Sequence, residues 1–272
     1  AKCEELRARG FRVTSLSAAS VHGAIFTSSV WHRPLVPEQK KETLARRQAN
    51  AAIAAMRLGK PERVWSLLKA SPDQRLRTWI LHRFATAGVD ANLITRQLRA
   101  ETDDSVRRAL ILALGEYPDI APSERDDMMK LLTRWYATDP DPGIHGATGW
   151  LLQRWGAHEQ VDALDTKLAT GTPAETCRWF VTKTNQHTMA IFPGPCEFLM
   201  GSPFGEEGHL PQEELRRAKI NRDFAIGVKE VTIAQYRAFQ QANPTVGRFN
   251  VEQYAPDDSC PQVGLDWYDA AR

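Results

Sequence analysis

The feature that most constrains the fold of this chain is a short motif that occurs three times in its middle part. Each copy reads aspartate, two further residues, an aliphatic residue and a basic residue. The copies begin at Asp73, Asp103 and Asp141, which are 30 and 38 residues apart. Self-similarity at a period of about 20–50 residues indicates similar structural units that stack on one another. The sequence therefore predicts a repeated, stacked architecture for this part of the chain.

Each repeated aspartate is placed to begin a helix, because a carboxylate there accepts backbone N–H groups of the first turn and complements the helix dipole. Apolar residues follow at helical spacing and are expected to be buried: Leu76, Ile80 and Phe84, then Val106, Leu110 and Leu114, and more weakly Ile144, Thr148, Leu152 and Trp155. Helix pairs at this period resemble HEAT-type repeats, which stack into a solenoid. An irregular helical bundle with a coincidental motif is the alternative that the sequence leaves open.

Good helix formers around the motif predict further helices. A long helix is expected over residues 38–58, with Leu44, Ala51, Ala55 and Leu58 at helical spacing on its apolar face. Gly59-Lys60-Pro61 is expected to end that helix. Another helix is expected over 62–70, and shorter ones near 91–100 and 123–137. Residues 35–170 are therefore interpreted as an all-α region of HEAT-like repeats.

The chain changes character on both sides of this region. Residues 1–34 contain two runs of alternating apolar and polar residues, which predict two strands. Two strands alone bury too little surface to be stable, so residues 1–34 are interpreted as the end of a β-rich repeat unit. After the helices, Gly171-Thr172-Pro173 predicts a linker, and a third domain is expected over 176–272.

The third region carries short motifs in a fixed order. Trp179–Val181 and Thr188–Phe192 predict strands on either side of a polar turn. The remaining motifs are Phe198-Leu199-Met200-Gly201-Ser202, an acidic loop over Glu206–Glu214, Phe224-x-Ile226, Glu230-Val231-Thr232-x-x-Gln235-Tyr236 and Asp266-Trp267-x-Asp269-Ala270. Thr232 and Gln235 have the spacing of a capping box, and Asp266 can cap the helix that Trp267 enters.

This order of motifs resembles the beginning of the formylglycine-generating (sulfatase-modifying factor) domain family, which has an irregular α+β, C-type-lectin-like fold. The resemblance covers about 176–272, the first third to half of such a domain, so the third domain is expected to be truncated. Asp266 departs from the family, which often has Ser or Thr there, and Cys260 precedes Pro261 in only some relatives. The resemblance implies a copper-dependent oxidase that converts a substrate cysteine to formylglycine with dioxygen.

No residue of this chain is predicted to be catalytic, cofactor-binding or metal-binding. The resemblance implies that copper is bound by two cysteines near the end of the family domain, and Cys177, Cys196 and Cys260 precede that region. Copper is therefore expected only for an intact family domain. The seven histidines show no H-x-H or H-x-x-x-H spacing that would suggest a local metal site. Trp179, Phe224 and Trp267 are expected to lack the partners that would bury them.

Composition excludes several classes of protein. Lys and Arg number 35 against 33 Asp and Glu, without the basic clustering that nucleic-acid binding requires. No run of about 18 apolar residues suggests a membrane span, and no Walker A, G-x-G-x-x-G or G-x-S-x-G motif is present. The even number of cysteines would suit two disulfides, but they form no C-x-x-C pair and their spread is unlike a compact disulfide scaffold. Free thiols in a reducing compartment are favoured, and the cytoplasm slightly so.

The sequence as a whole predicts a fragment of a multidomain protein. It is similar to large bacterial proteins that join this domain to helical repeats, some with an upstream protein kinase. Two classes of function stay open. In the first, the intact protein is a formylglycine-generating enzyme or a relative on the same scaffold, and the helical repeats bind protein or peptide partners. In the second, the fold is a non-catalytic binding or sensory module, in a signalling protein linked to a kinase.

Overall fold

The computed structural model describes residues 2–8, 11–21, 24–32, 36–202, 210–246 and 254–271. Within these ranges the chain has mixed α+β structure, with eleven helices and three small antiparallel sheets. The expected mixture of a helical part with α+β parts is confirmed at this level. None of the helices in the described ranges is long and apolar enough to cross a lipid bilayer.

The first segment combines a short helix with a hairpin. Helix α1 spans Lys2–Ala8, and strands β1, Arg12–Val21, and β2, Ala24–His32, pair antiparallel. The two predicted strands are confirmed. Helix α1 was not predicted within the β-rich interpretation of residues 1–34. Its segment consists mostly of strong helix formers and carries Glu4 and Glu5 in its first turn.

Eight helices make up the central region. They are α2 Glu38–Arg57, α3 Glu62–Trp65, α4 Arg75–Phe84, α5 Ala91–Ala100, α6 Asp104–Leu114, α7 Pro122–Thr138, α8 Pro142–Arg154 and α9 His158–Leu168, with a 3-10 turn at Ser66–Leu68. Helices α2, α4, α6 and α8 pack in series, each against the next. Helix α5 packs on α6, and α7 and α9 pack on α8. Helices α2, α4, α6 and α8 therefore form a series of neighbours, and we call the eight helices the helical stack.

One apolar core runs through these helices. Of the residues expected to be buried after the first two motif copies, Ile80, Phe84, Leu110 and Leu114 are fully buried and Val106 is 1% exposed. Leu76 lies at the edge of the core and is only half-buried. After the third copy, Ile144, Thr148 and Leu152 are fully buried. Trp155, the last residue of that series, is only half-buried, so the helical spacing identified the buried residues with two exceptions.

Two of the three repeated aspartates begin helices as predicted. Asp103 and Asp141 are N-cap residues, and one carboxylate oxygen of each accepts two backbone N–H groups at 2.9–3.2 Å. In the first copy Gln74 is the N-cap, and Asp73 accepts only the N–H of Arg75, at 3.1 Å. The first copy therefore differs slightly from the other two.

The apolar face expected for α2 was wrong. Leu44 and Leu58 are 56% and 76% exposed, and the buried residues of this helix are Ala45, Ala49, Ala52, Ile53 and Met56. The main partner of α2 is α4, so only a narrow stripe can be buried. Three alanines in that stripe allow a close approach, while Ile53 and Met56 fill the space behind them. A stripe counted from Leu44 is displaced from the buried one by one residue, about 100° around the helix.

The strands after the helices form two separate sheets. The first has the order β3, Trp179–Val181, β4, Thr188–Phe192, and β7, Phe224–Gly227; the second pairs β5, Cys196–Met200, with β6, Arg216–Ile220. Strands β3 and β4 lie where the sequence predicted them. A 3-10 turn at Pro211–Glu213 precedes β6, and Glu206 and Glu207 of the expected acidic loop lie outside the described residues.

Both predicted caps in this region are confirmed. Helix α10, Ile233–Ala242, begins with the capping box, in which Thr232 Oγ1 accepts the N–H of Gln235 at 3.3 Å and Gln235 Oε1 accepts the N–H of Thr232 at 3.0 Å. Before helix α11, Trp267–Ala271, Asp266 accepts the N–H of Asp269 at 2.8 Å. Aspartate thus performs the capping for which serine or threonine is also suited.

Limited proteolysis is expected to cut the linker at Thr170–Ala174 and to leave a protected helical fragment of about 38–169. The linker is largely exposed, whereas the buried members of the main apolar core lie between Ala49 and Val161. Exposed segments that connect self-contained cores are the preferred sites of cleavage. Mass spectrometry of the digest identifies the fragment, and a digest without a protected helical product would contradict an independent helical core.

Candidate functional site

The basic residue that ends each motif copy contacts the unit that follows. In the first copy, Nη2 of Arg77 donates to the backbone carbonyl of Ser105 at 2.8 Å. In the second, Nη2 of Arg107 donates to Oδ2 of Asp139 at 2.6 Å. The same position of the motif therefore joins successive helical units.

In the third copy this position is His145, and it joins the helices to the strands. Its Nε2 lies 3.3 Å from Oγ1 of Thr188 on β4. Its ring is stacked between two others, with centroids 4.3 Å from Tyr136 on α7 and 3.8 Å from Trp179 on β3. We call Tyr136, His145 and Trp179 the aromatic clamp. His145 is 2% exposed and Trp179 is 3% exposed, so the clamp is closed to solvent.

Hydrogen bonds fix the protonation of the clamp histidine. Nδ1 of His145 lies 2.7 Å from the carbonyl oxygen of Tyr136, and because a carbonyl only accepts, Nδ1 carries the hydrogen. Nε2 then accepts from the hydroxyl of Thr188. Burial lowers the pKa of His145 from 6.5 to about 4, and Lys229 also lowers it. The clamp therefore contains a neutral histidine at pH 7.

Further contacts hold β3 against the helices. Nε1 of Trp179 donates to the carbonyl oxygen of Asp139 at 2.8 Å. The backbone N–H of Arg178 donates to Pro140 at 3.0 Å, and its side chain donates to Asp141 at 2.7 Å. Asp141 is the N-cap residue of α8, so the third motif copy contacts the strand region through both its aspartate and its histidine.

The expectation that the tryptophan of β3 lacks a burying partner was wrong. The helices supply that partner, because the ring of Trp179 packs on His145 and its N–H finds a carbonyl there. Phe224 is half-buried and stacks on Phe192, with ring centroids 5.2 Å apart. Trp267 is 74% exposed, as the sequence led us to expect.

A cavity of about 190 Å³ lies beside the aromatic clamp, between the helices and the strand region. The hydroxyl of Tyr136 donates to Asp165 of α9 at its wall, and burial raises the pKa of Asp165. His187, Lys229 and Glu230 also line the cavity. Its polar walls suit water or a small polar molecule. Over the described ranges, no group of three His, Cys, Asp or Glu side chains could hold a metal ion.

The cysteines are not members of the aromatic clamp, although Sγ of Cys177 lies 3.9 Å from the carbonyl oxygen of Asp139 that also accepts from Trp179. All four are free thiols, Cys3 exposed and the others half-buried. Burial is the largest influence on Cys177 and raises its pKa. A raised pKa lowers the fraction of thiolate, which is the form that binds metals and attacks electrophiles.

Sequence reasoning predicted no site residue and missed the aromatic clamp. The available signal was the third motif copy, where histidine stands at the position that carries arginine in the other two. A second signal was glycine inside α8, since a Cβ at Gly149 would lie 2.7 Å from the ring of Tyr136. Neither signal identified the ring on β3 that completes the clamp.

The chain matches no family model, no curated protein and no solved structure. The aromatic clamp is accordingly the feature from which we infer a function, together with the patterns of the sequence.

Acidification is expected to destabilise the clamp. The pKa of His145 is about 4 in the folded protein and 6.5 ordinarily, so the unfolded chain binds this proton more readily. The stability that depends on neutral His145 is fully present above pH 6.5 and is lost as the pH falls from 6.5 toward 4. A shift of this size corresponds to about 3 kcal/mol in the free energy of unfolding.

Urea unfolding of the wild type and of a His145→Gln variant, above pH 6.5 and near pH 4, measures this effect. Carboxyl groups near the clamp, among them Asp165, are present in both proteins, so the variant is the control for them. We expect the wild type to lose about 2–3 kcal/mol more than the variant on acidification. Equal losses would show that His145 is not the group responsible.

Proposed function

We propose that this chain is a non-catalytic support and interaction part of a formylglycine-generating-type protein. In this proposal, HEAT-like repeats bind a protein or peptide partner and hold the start of the formylglycine-generating-type domain in a fixed place. The observation that carries the proposal is the aromatic clamp, because Trp179 of the strand region is buried against the last helical repeat. A partner on the repeats would thereby be held at a defined position relative to the strands.

Three properties of the helices support the repeat interpretation. Two motif copies cap their helices fully, the apolar positions of all three contribute to one core, and each basic position contacts the following unit. Repeat proteins stack their units into an extended surface, and such surfaces bind partners. The regular contacts between units therefore favour stacked repeats over an irregular bundle, and stacked repeats favour an interaction role.

The strand region supports the family resemblance through local geometry. Gly201 in the Phe-Leu-Met-Gly-Ser motif has a φ of +101°, and a Cβ there would lie 2.6 Å from the carbonyl oxygens of Glu213 and Glu214. Glycine is thus required both for the backbone conformation and for the close approach. The capping box at Thr232 begins α10 at the place that the motif predicts.

We propose that this part does not itself perform the oxidation. The resemblance places the reactive cysteine pair in a later part of the domain than the part that this sequence resembles, and copper would accompany that pair. Within this chain, the raised pKa of Cys177 makes it a poor thiolate ligand. The resemblance and the raised pKa of Cys177 therefore support a binding role for this part rather than catalysis.

Incubation of the purified chain with a Cys-x-Pro-x-Arg peptide, copper and a reductant is therefore expected to yield no formylglycine. Mass spectrometry of the peptide detects the aldehyde, and a formylglycine-generating enzyme under the same conditions is the positive control. Copper binding is expected to be no tighter than that of scattered thiols, with little change in a Cys177→Ser variant. Turnover of the peptide would show that residues with structural roles here also carry the chemistry.

A further inference from the structure

An open groove lies at the beginning of the helical stack, between α2, the 3-10 turn at Ser66–Leu68 and the start of α4. Its volume is about 400 Å³, and we call it the α2–α4 groove. Leu44 and Leu67 line it and are 56% and 37% exposed. Leu76, the one aliphatic residue of the three motif copies that is only half-buried, also lines it. The groove therefore presents aliphatic surface that no described part of the chain covers.

The guanidinium of Arg77 also lines the groove, and its contacts differ from those of its counterpart in the next repeat. Arg107 pairs with the carboxylate of Asp139 at 2.6 Å. Among the described residues, Arg77 donates only to neutral acceptors, the carbonyl of Ser105 at 2.8 Å and Oε1 of Gln74 at 3.3 Å. Its Nε is buried and, within the described ranges, has no hydrogen-bond partner. Arginine thus occupies the same position in both motif copies, but only Arg107 has a carboxylate within ion-pair distance among the described residues.

The other charged groups of the groove are already paired. Lys41 and Lys69 lie 2.5 and 3.4 Å from carboxylate oxygens of neighbouring residues, and Asp73 pairs with Arg75 at 2.6 Å. No carboxylate in the described ranges lies within ion-pair distance of Arg77. Burial is the main cause that lowers the pKa of Arg77, Arg108 adds to it, and the more distant Asp103 offsets only part of it, so an anion at this position would relieve an unfavourable charge.

We propose that the α2–α4 groove binds a peptide segment of a protein partner, by seating a leucine-like side chain against Leu44 and Leu67 and pairing an adjacent carboxylate with Arg77. This proposal rests on the interaction role proposed above and adds the chemistry of the partner. Burial of an aliphatic side chain supplies affinity. The charge-assisted hydrogen bond to arginine supplies selectivity for an acidic neighbour.

The test is a titration of the full chain, labelled with ¹³C in its leucine methyl groups, followed by NMR. The two probes are the blocked dipeptides acetyl-leucyl-glutamate amide and acetyl-leucyl-glutamine amide, which differ only in charge at the second residue. We expect saturable shifts at the methyl groups of Leu44 and Leu67, with about tenfold tighter binding of the glutamate probe. Equal binding of the two probes, or no saturable shift up to the solubility limit, would overturn the proposal.

Three variants assign the selectivity to single groups. Arg77→Gln is expected to make the two probes bind equally, while Arg99→Gln, which removes an exposed arginine that pairs with Glu124 on another surface, leaves the tenfold difference. Leu44→Ser is expected to weaken both probes alike, and its exposed position makes misfolding no concern. Unchanged selectivity in Arg77→Gln would overturn the proposal; if that variant fails to fold, Leu44→Ser and the wild-type comparison still decide it.

The outcome is separable from that of the proposed function. A failed titration together with no formylglycine formation would remove the groove as the docking site and leave the support role in place. Formylglycine formation by this chain would overturn the proposed non-catalytic role, whatever the titration shows.

Discussion

Replacement of Trp179 by alanine is expected to detach β3 from the helices and to cost about 3–5 kcal/mol in the free energy of unfolding of the docked state. The indole is almost fully buried and stacks on His145 at 3.8 Å. Its removal would also leave the carbonyl oxygen of Asp139 without the donor that it now has at 2.8 Å. Urea unfolding followed by circular dichroism measures the loss.

A second measurement separates detachment from a general loss of stability. If the indole is removed, water reaches one face of His145, and the pKa of that histidine should rise from about 4 toward 6.5. NMR titration of the histidine ring protons reports this rise. Trp267→Ala is the matched control, because Trp267 is 74% exposed and its loss should change stability by no more than about 0.5 kcal/mol. Equal effects of the two substitutions would contradict the clamp.

Helix positions in the stack could be predicted because their determinants are local. A cap such as Asp103 and an apolar series such as Val106, Leu110 and Leu114 lie within a few turns of each other. The same is true of the capping box at Thr232, where two residues satisfy each other across one helical turn. Such local patterns allow the helix to be predicted from the sequence alone.

The buried face of α2 could not be predicted in the same way, because it depends on the partner. A stripe through Leu44 and a stripe through Ile53 both have helical spacing, and only the position of α4 decides between them. Since α2 packs mainly on that one helix, the larger share of its surface is free, including a leucine at 56% exposure. Apolar residues at helical spacing indicate faces that could be buried, but they do not show which face the partner helix covers.

The aromatic clamp was missed because its parts are distant in the sequence. Tyr136 and His145 are close along the chain, but the ring of Trp179 comes from a strand beyond the linker. The motif indicated only one side of this contact, because the third copy has the neutral ring of His145 where the first two copies have the cations of Arg77 and Arg107. That exchange indicates a contact between α8 and β3 only when both surfaces are known.

Replacement of Leu110 by alanine is expected to cost about 2–5 kcal/mol in the free energy of unfolding, the range for a buried leucine. Leu110 is fully buried and has no accessible surface. Its helix α6 packs on α4, α5 and α8. A cavity at this point would weaken several contacts of the stack at once, because the surrounding helices can close it only partly. Urea unfolding measures the difference from the wild type.

Leu58→Ala provides the matched control for this prediction. It makes the same chemical change at a leucine that is 76% exposed, at the end of α2, where an alanine should alter stability by no more than about 0.5 kcal/mol. Leu58 was a member of the apolar face that the sequence suggested, so the pair tests the assignment of the core as well as its strength. If the two variants unfolded at the same urea concentration, α6 could not be the centre of the helical stack, and the motif would not mark its buried positions.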